Sequence, residues 1–357
     1  MGRKLSGIDL NGVQDYVARN WLKDASGEDQ FEDQTNLGSS RSCIVSLKTS
    51  LGIEYLGGVQ ADLAPHGRGE GYGAAIGGPE HRILLGEIIQ SAEPSIEKLR
   101  AALLGITPPS DYAICSIPDS DKTTEAYQDA LVMALRKAQF KNQLLVWRSV
   151  LVSLALVEND VAQIPSSVGI VSHSNNGFDL QTIDLKSYNH QGTRILVPER
   201  KKIGVSCEHA AGYDRLFNIA LEQLNEINSD RFLDIKQSKN IAALGLGRNV
   251  KSELLRSNNG LWRELTPSPD FEIPELDFSE DHRQLLVQLN ECDFLVFETF
   301  TEGRLRSRIH ATIENVFGRD VELLSDDAVA KAALLAADRY AKNIPIYFDY
   351  LPQISTI

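Results

Sequence analysis

Lys4-Leu5-Ser6-Gly7-Ile8-Asp9-Leu10-Asn11-Gly12-Val13-Gln14-Asp15 is the stretch on which the fold turns. An apolar-leaning run carries one acid, Asp9, near its end, and the dipeptide Asn11-Gly12 follows at once. Asn-Gly between apolar residues marks a hairpin, because both residues tolerate positive φ. A tight turn of this kind leaves backbone N–H groups pointing outward. Such a concavity holds phosphate oxygens, and an acid beside it anchors a hydrated metal. An ordinary hairpin with a solvated Asp9 fits the same letters, and on this stretch alone it is the simpler account.

Outward from that hairpin, the rest of the chain sets the frame. With 357 residues it is long enough for a large core and for two lobes rather than one. Its 42% hydrophobic and 24% charged content is that of an ordinary globular protein. The net charge of −13 argues against a nucleic-acid surface, which needs a basic stripe. It also repels free nucleotide, so a phosphate site must supply its own N–H groups or cations. Cys43, Cys115, Cys207 and Cys292 are isolated and share no zinc spacing, so they read as reduced thiols of a cytoplasmic protein. The N-terminus lacks the apolar core of a signal peptide, and no run reaches membrane-spanning length. Nucleic acid and membrane are therefore excluded as expected partners.

Strands and helices alternate along the first half. Asp24 to Arg41 is polar and reads as a loop. Strands are expected at Cys43–Leu47 and Ile53–Val59, followed by a glycine-rich surface loop over 65–78. In that loop Arg68 could donate to a phosphate or a partner, but the run does not open a helix as a dinucleotide fingerprint must. Helical spacing then runs from Ile83, split by Pro94 and stopped by Gly105 and Pro108-Pro109. A buried-type strand at Tyr112–Ile117 precedes a helix from Thr124 to Phe140. A strand at Gln143–Arg148 leads into a small-residue helix, Ser149–Val157.

The second half restarts the same plan. Val168–His173 is a strand, Ser174-Asn175-Asn176-Gly177 a turn with the same Asn-Gly ending, and Phe178–Ile183 the return strand. A strand at Thr193–Val197 and a helix near Ala210–Asn228 follow. Gly260 to Phe278 reads as an exposed loop. After it come a helix Glu280–Glu291, a strand Phe294–Phe297, a helix Arg304–Phe317 and a last helix Ala328–Ala341. The apolar tail Ile344–Leu351 is expected to pack down.

Alternation of this kind means an α/β layered protein with mostly parallel central strands, and its duplication means two lobes with a cleft between them. Ligands of open α/β sheets bind outside strand ends, so the two Asn-Gly turns can face one cleft. The layout resembles the actin-like ATPase superfamily, nearest to the Hsp70 nucleotide-binding domain. Ile8–Gly12 resembles that family's first phosphate loop and Ile170–Thr182 its second. Gly212–Leu216 resembles the start of the second lobe's long helix, Phe294–Gly303 the adenosine-binding loop, and Ala328–Ala333 the small-residue connecting helix. The resemblance implies a two-lobed, ribonuclease H-like duplicated fold. Its first lobe would be residues 1–160 with a return of 335–357, and its second lobe 161–334. It also implies ATP or ADP with Mg²⁺ in the interlobe cleft, hinge motion, and a protein partner.

On that reading Asp9 anchors metal and water. Asn11, Gly12, Ser174, Asn175, Asn176 and Gly177 cradle phosphate, and Thr299, Glu302 and Gly303 sit near the nucleoside. The departures from the pattern bear on chemistry. The second loop's usual Asp is Ser172, and its glycines are replaced by Ser174-Asn175-Asn176. The acid that opens the family's first connecting helix falls at Trp147 or Arg148. Phosphoryl transfer relies on such acids to hold Mg²⁺ and orient water. Phe300 stands where glycines are usual, and would block an adenine or stack on it. Arg148 would neutralise phosphate directly or form a surface or interlobe ion pair, the commoner role. His173 beside the second turn is a phosphate donor or a core or turn histidine, again the commoner role. His66, His81 and His209 have no ligand spacing. Three functions follow: an ATP-gated clamp on a protein partner with hydrolysis weak or lost; a sugar-kinase-type phosphotransferase using Asp9 with Asp179 or Glu54; and a nucleotide-independent scaffold or filament subunit.

Overall fold

A computed structural model describes residues 2–12, 14–25, 28–31, 35–49, 52–63, 82–84, 88–89, 91–158, 166–227, 253–256, 262–265, 278, 282–301 and 303–349. The glycine-rich loop, with Arg68, His66 and His81, lies outside these residues, as does Glu302.

β1 (Arg3–Asp9) and β2 (Gln14–Ala25) make the expected hairpin, with Asp9 opposite Tyr16. Gly12 turns it at φ 86°, a left-handed conformation that suits glycine. The stretch expected to be a loop, Asp24 to Arg41, instead carries the end of β2 and two short strands, β3 (Glu28–Phe31) and β4 (Asn36–Arg41). Both pair with β2, one at each end. β2's backbone needs partners on its outer side, and a polar sequence supplies N–H and C=O groups as well as an apolar one does.

β5 (Cys43–Thr49), β6 (Gly52–Gly57) and β7 (Arg82–Leu84) form a separate sheet in the order β6-β5-β7, with α1 (Gly58–Leu63) following β6. Ile83 and Leu84, expected to open a helix, are therefore strand residues. Ile83 pairs with Ile44. The helix α2 (Ile96–Ile106) starts only at its N-cap Ser95, whose hydroxyl accepts from the Lys98 N–H. β8 (Tyr112–Ile117), α3 (Glu125–Lys137), β9 (Asn142–Trp147) and α4 (Arg148–Glu158) complete the first half.

The second half repeats this order. β10 (Ser167–His173) and β11 (Gly177–His190) form a hairpin, and β12 (Thr193–Arg200) and β13 (Val205–Glu208) pair with the two ends of β11 as β3 and β4 do with β2. Then come α5 (Tyr213–Ile227), the hairpin β14 (Glu253–Arg256) and β15 (Trp262–Leu265), α6 (Arg283–Asn290), β16 (Phe294–Glu298), α7 (Gly303–Phe317), β17 (Glu322–Leu323) and α8 (Ala328–Ala341). Trp262–Leu265 thus corrects the expected loop. Its residues carry alternate backbone pairing to β14 that the Pro-rich context concealed.

The strand orders β3-β2-β1-β8-β9 and β12-β11-β10-β16-β17 correspond one to one, each with an antiparallel hairpin followed by two parallel additions. This is a two-lobed, duplicated α/β architecture. α4 and α8 pack together between the two sheets, in a core that runs from Leu5 and Ile114 through Val150 and Ala333 to Val168 and Val296. α2 and α3 cover the outer face of the first sheet, and α5, α6 and α7 that of the second. α8 packs along β1 and β8 of the first sheet. A Cβ on Gly7 would stand 2.1 Å from the Leu334 nitrogen and 2.2 Å from the Ala330 oxygen. Beyond α8, β18 (Phe348–Asp349) pairs with β12 of the second lobe.

Candidate functional site

Parallel pairing aligns the ends of β1 and β8, and likewise of β10 and β16, at the cleft. In the first lobe Asp9 and Ser116 meet there. The Ser116 hydroxyl donates to Asp9 Oδ1 at 2.5 Å. In the second lobe His173 and Thr299 take the same places, with Nδ1 2.8 Å from Thr299 Oγ1.

Asp9 is fully buried, and its partner is Arg148, the first residue of α4. The guanidinium reaches both carboxylate oxygens: Nη1 donates to Oδ1, and Nη2 to Oδ2 at 3.1 Å. The same guanidinium donates through Nε to both oxygens of Glu298, at 2.7 and 2.8 Å. Glu298 is the last residue of β16, so one cation ties a carboxylate from each lobe. Its pKa is raised, because those two acids outweigh burial's opposing effect. A cation on the first turn of a helix opposes the helix dipole, and these acids offset that. The ring of Phe300 lies 4.4 Å from the guanidinium carbon.

Asp9 is therefore not arranged as a metal anchor. Its two oxygens, which a hydrated cation would need, are spent on Arg148 and Ser116. Among the described residues no group of His, Cys, Asp and Glu could hold a metal ion. Mg²⁺ does not fit this site.

The first turn is likewise filled from within. The Asn11 N–H donates to Asp15 Oδ1 at 3.2 Å, and the Ser42 hydroxyl donates to the same oxygen. Burial pushes the Asp15 carboxyl up to about 7, against the pull of Ser42 and of the Asn11 and Gly12 N–H groups. The two N–H groups expected to cradle phosphate thus face an internal carboxyl. Asn11's side chain closes the loop, its Oδ1 accepting from the Gln14 N–H at 2.9 Å.

Backbone bonds hold the second turn. The Ser174 N–H donates to the Gly177 oxygen at 2.9 Å. The oxygens of Ser174, Asn175 and Asn176 accept from the N–H groups of Tyr213, Asp214 and His209. This ties the turn to the start of α5. Gly177 admits no side chain, since a Cβ would meet the Cys207 oxygen at 2.1 Å.

His173 is the core histidine of the commoner reading. Nε2 is 2.8 Å from the Ala211 oxygen, and the ring stacks on Tyr213 at 4.0 Å and on Phe178 at 5.2 Å. Burial lowers its pKa to about 4, so the ring is neutral. Tyr213 stacks in turn on Phe300 at 5.6 Å. Thr299 faces this stack rather than open space, with Oγ1 3.2 Å from the Tyr213 hydroxyl and 2.9 Å from Thr301 Oγ1. Gly303 begins α7, at φ 60°.

A second tie between the lobes has no local sequence signal. Asp119, just past β8, accepts from Arg200 Nε at 3.0 Å and Nη2 at 2.8 Å. Gln181 and the Gly204 N–H add further bonds to it. Arg200 also reaches Asp349 at 2.9 Å and lies over the Trp147 ring at 4.2 Å.

The two turns do face one cavity, of about 160 Å³. Asn11, Ser174, Asn175 and Asn176 all line it, with Ser116, Lys122, Tyr127, Arg148, Asp179 and Phe300. Glu54, the other acid considered for phosphotransfer, is exposed on β6 and does not line it.

No family description matches this sequence, and no curated protein does. Among solved structures, a non-polymerising mutant of MamK bound to AMPPNP is similar to 94% of this chain and 99% of its own, at 14% identity and a TM-score of 0.42.

Proposed function

We propose that this protein is a nucleotide-independent binding or scaffold protein built on the two-lobed actin-like fold, acting through a protein partner. The observation that carries this reading is the Arg148 guanidinium shared between Asp9 and Glu298. It places a cation where magnesium chemistry needs open carboxylate oxygens, and it ties the lobes together at the point where a hinge would open. Two further side chains support it. Asp15 takes the first turn's N–H groups, and Phe300 stacks on Tyr213 where the resemblance puts a nucleoside. Asp119 and Arg200 add a second tie. Phosphoryl transfer lacks its metal and its water-orienting acid on this reading.

The reading as an ATP-gated clamp keeps one observation in its favour, that both turns line a single cavity. Calorimetric titration of the full chain with Mg-ATP and Mg-ADP separates the two. No saturable heat at millimolar nucleotide is the expected result. Micromolar binding that weakens in Asp9→Ala would overturn the nucleotide-independent reading and restore the clamp.

A further inference from the structure

The interlobe cavity carries three buried polar atoms without a hydrogen-bond partner: the Tyr127 hydroxyl, Ser174 Oγ and Asp179 Oδ1. Tyr127 and Asp179 are only 2% and 8% exposed. They come from both lobes, Tyr127 from α3 and the other two from the second turn and β11. A buried polar atom left unpaired is costly, and three around one cavity mark a place where something else supplies the partners.

The charges around the cavity say what that is. Arg148 is held by Asp9 and Glu298, and Arg200 by Asp119 and Asp349. Asp179 and Asp121 then stand against Lys122, which is exposed at the rim. An anion entering here would find each buried guanidinium already paired. A cation would find an unfilled carboxylate oxygen and two hydroxyl oxygens. The volume of about 160 Å³ admits a small molecule of roughly ten heavy atoms.

We propose that this cavity is a binding site for a small organic cation, a primary amine or short diamine, whose ammonium is taken by Asp179 with the Ser174 and Tyr127 hydroxyls as further partners. The proposal rests on the nucleotide-independent reading in one respect, that magnesium-nucleotide does not fill the cleft. Burial holds the Asp179 carboxyl at about 7, opposed by the Ser206 and Ser120 hydroxyls and reinforced by Asp121 and Glu298. The Cys207 thiol beside it is pushed up to about 12 and stays neutral. An ammonium partner would draw the proton off Asp179, so binding releases a proton and tightens as pH rises.

The test is calorimetric titration of the full chain with 1,4-diaminobutane at pH 6, 7 and 8, in buffers of different ionisation heat. Glycerol, inorganic phosphate and Mg-ATP are separate arms. Saturable diamine binding that tightens at least threefold from pH 6 to pH 8, with proton release, is expected. Asp179→Asn should weaken it at least tenfold and flatten the pH dependence, while Tyr127→Phe weakens it three- to tenfold. Thermal melts of both variants check the fold, and Asp179→Asn should melt no lower than the parent. The proposal is overturned if the diamine gives no saturable heat, or if glycerol or phosphate binds and the diamine does not. It is equally overturned if Asp179→Asn binds the diamine as the parent does, since that is attraction to an acidic surface only. Mg-ATP that binds and displaces the diamine would sink both readings, whereas Mg-ATP that binds without displacing it lies outside the cavity and sinks the nucleotide-independent reading alone. Silence from both ligands would do the reverse.

Discussion

The ends of the two central strands solve the same geometric problem with opposite chemistry. In the first lobe the strand end is a carboxylate, Asp9, and it is held by charge. In the second lobe it is a neutral imidazole, His173, and it is held by ring stacking and two neutral hydrogen bonds. Each end also meets a hydroxyl from the neighbouring parallel strand or the residue just past it, Ser116 on β8 and Thr299 after β16. A shared backbone plan thus fixes where the side chains meet, and leaves their chemistry open. Arg148 joins the lobes because an acid, Asp9, ends β1 and a second acid, Glu298, ends β16.

The largest effect expected from breaking this arrangement is at Arg148. Arg148→Met would leave Asp9 and Glu298 buried and unpaired, at a cost of about 3–5 kcal/mol, read by denaturant unfolding. Replacing all three with apolar residues of similar volume should recover most of that loss. Recovery would show that the triad sets which conformation forms more than it adds stability.

Acidity sharpens the contrast. Asp15 is held at about 7 in the folded first lobe, above its unfolded value. Its contribution is fully present below about pH 4 and is lost as pH rises through 7. His173 is held at about 4, below its unfolded value. Its contribution is fully present above about pH 6.5 and is lost as pH falls towards 4, a change on the order of 3 kcal/mol. Unfolding free energies of Asp15→Asn should lose the slope on the alkaline side, and those of His173→Gln the slope on the acid side. Asp179 adds to the alkaline loss. A double variant in which both slopes persist would show that neither Asp15 nor His173 governs the pH response.

Backbone approach separates the lobes further. Gly7→Ala must push α8 from the first sheet, and about 1–3 kcal/mol of destabilisation is expected. Gly169→Ala in the second sheet would meet the Leu289 oxygen at 2.9 Å and should cost less. Smallest are the turns. Asn11→Ala removes a side chain that closes its loop, at about 1 kcal/mol. Asn176→Ala should stay within about 0.5 kcal/mol, because that turn is tied through its backbone. Thermal melts of the pair decide whether the two turns differ in this way.

The duplication was legible because the hairpins at Asn11-Gly12 and Asn176-Gly177 and the helices with clear periodicity announce themselves locally. Ala328–Ala341 was read to its exact ends. Strands that exist only because a neighbour needs a partner were not legible. β3, β4 and β13 are polar or short, and their pairing is decided by β2 and β11. In the cleft, Asp9, Arg148 and His173 were singled out from their positions alone. That Arg148 would bind Asp9 and Glu298 together depends on residues 139 and 150 positions apart. Asp15 was in plain view, four residues after Asn11. An acid at that spacing from an Asn-Gly turn can reach back to the turn's N–H groups, and that signal was missed. Asp119 and Arg200 are held by folding distant segments together, and no local pattern marks them.

α8 covers the first sheet, yet it is made more than three hundred residues after Gly7, against which it packs at Leu334. During synthesis the inner face of the first sheet therefore emerges long before its cover. Contacts this distant in sequence slow folding and lengthen the time that apolar surface stays open. That inner face is covered only once residues 328–341 have left the ribosome, so the first sheet cannot complete its packing while it is being made.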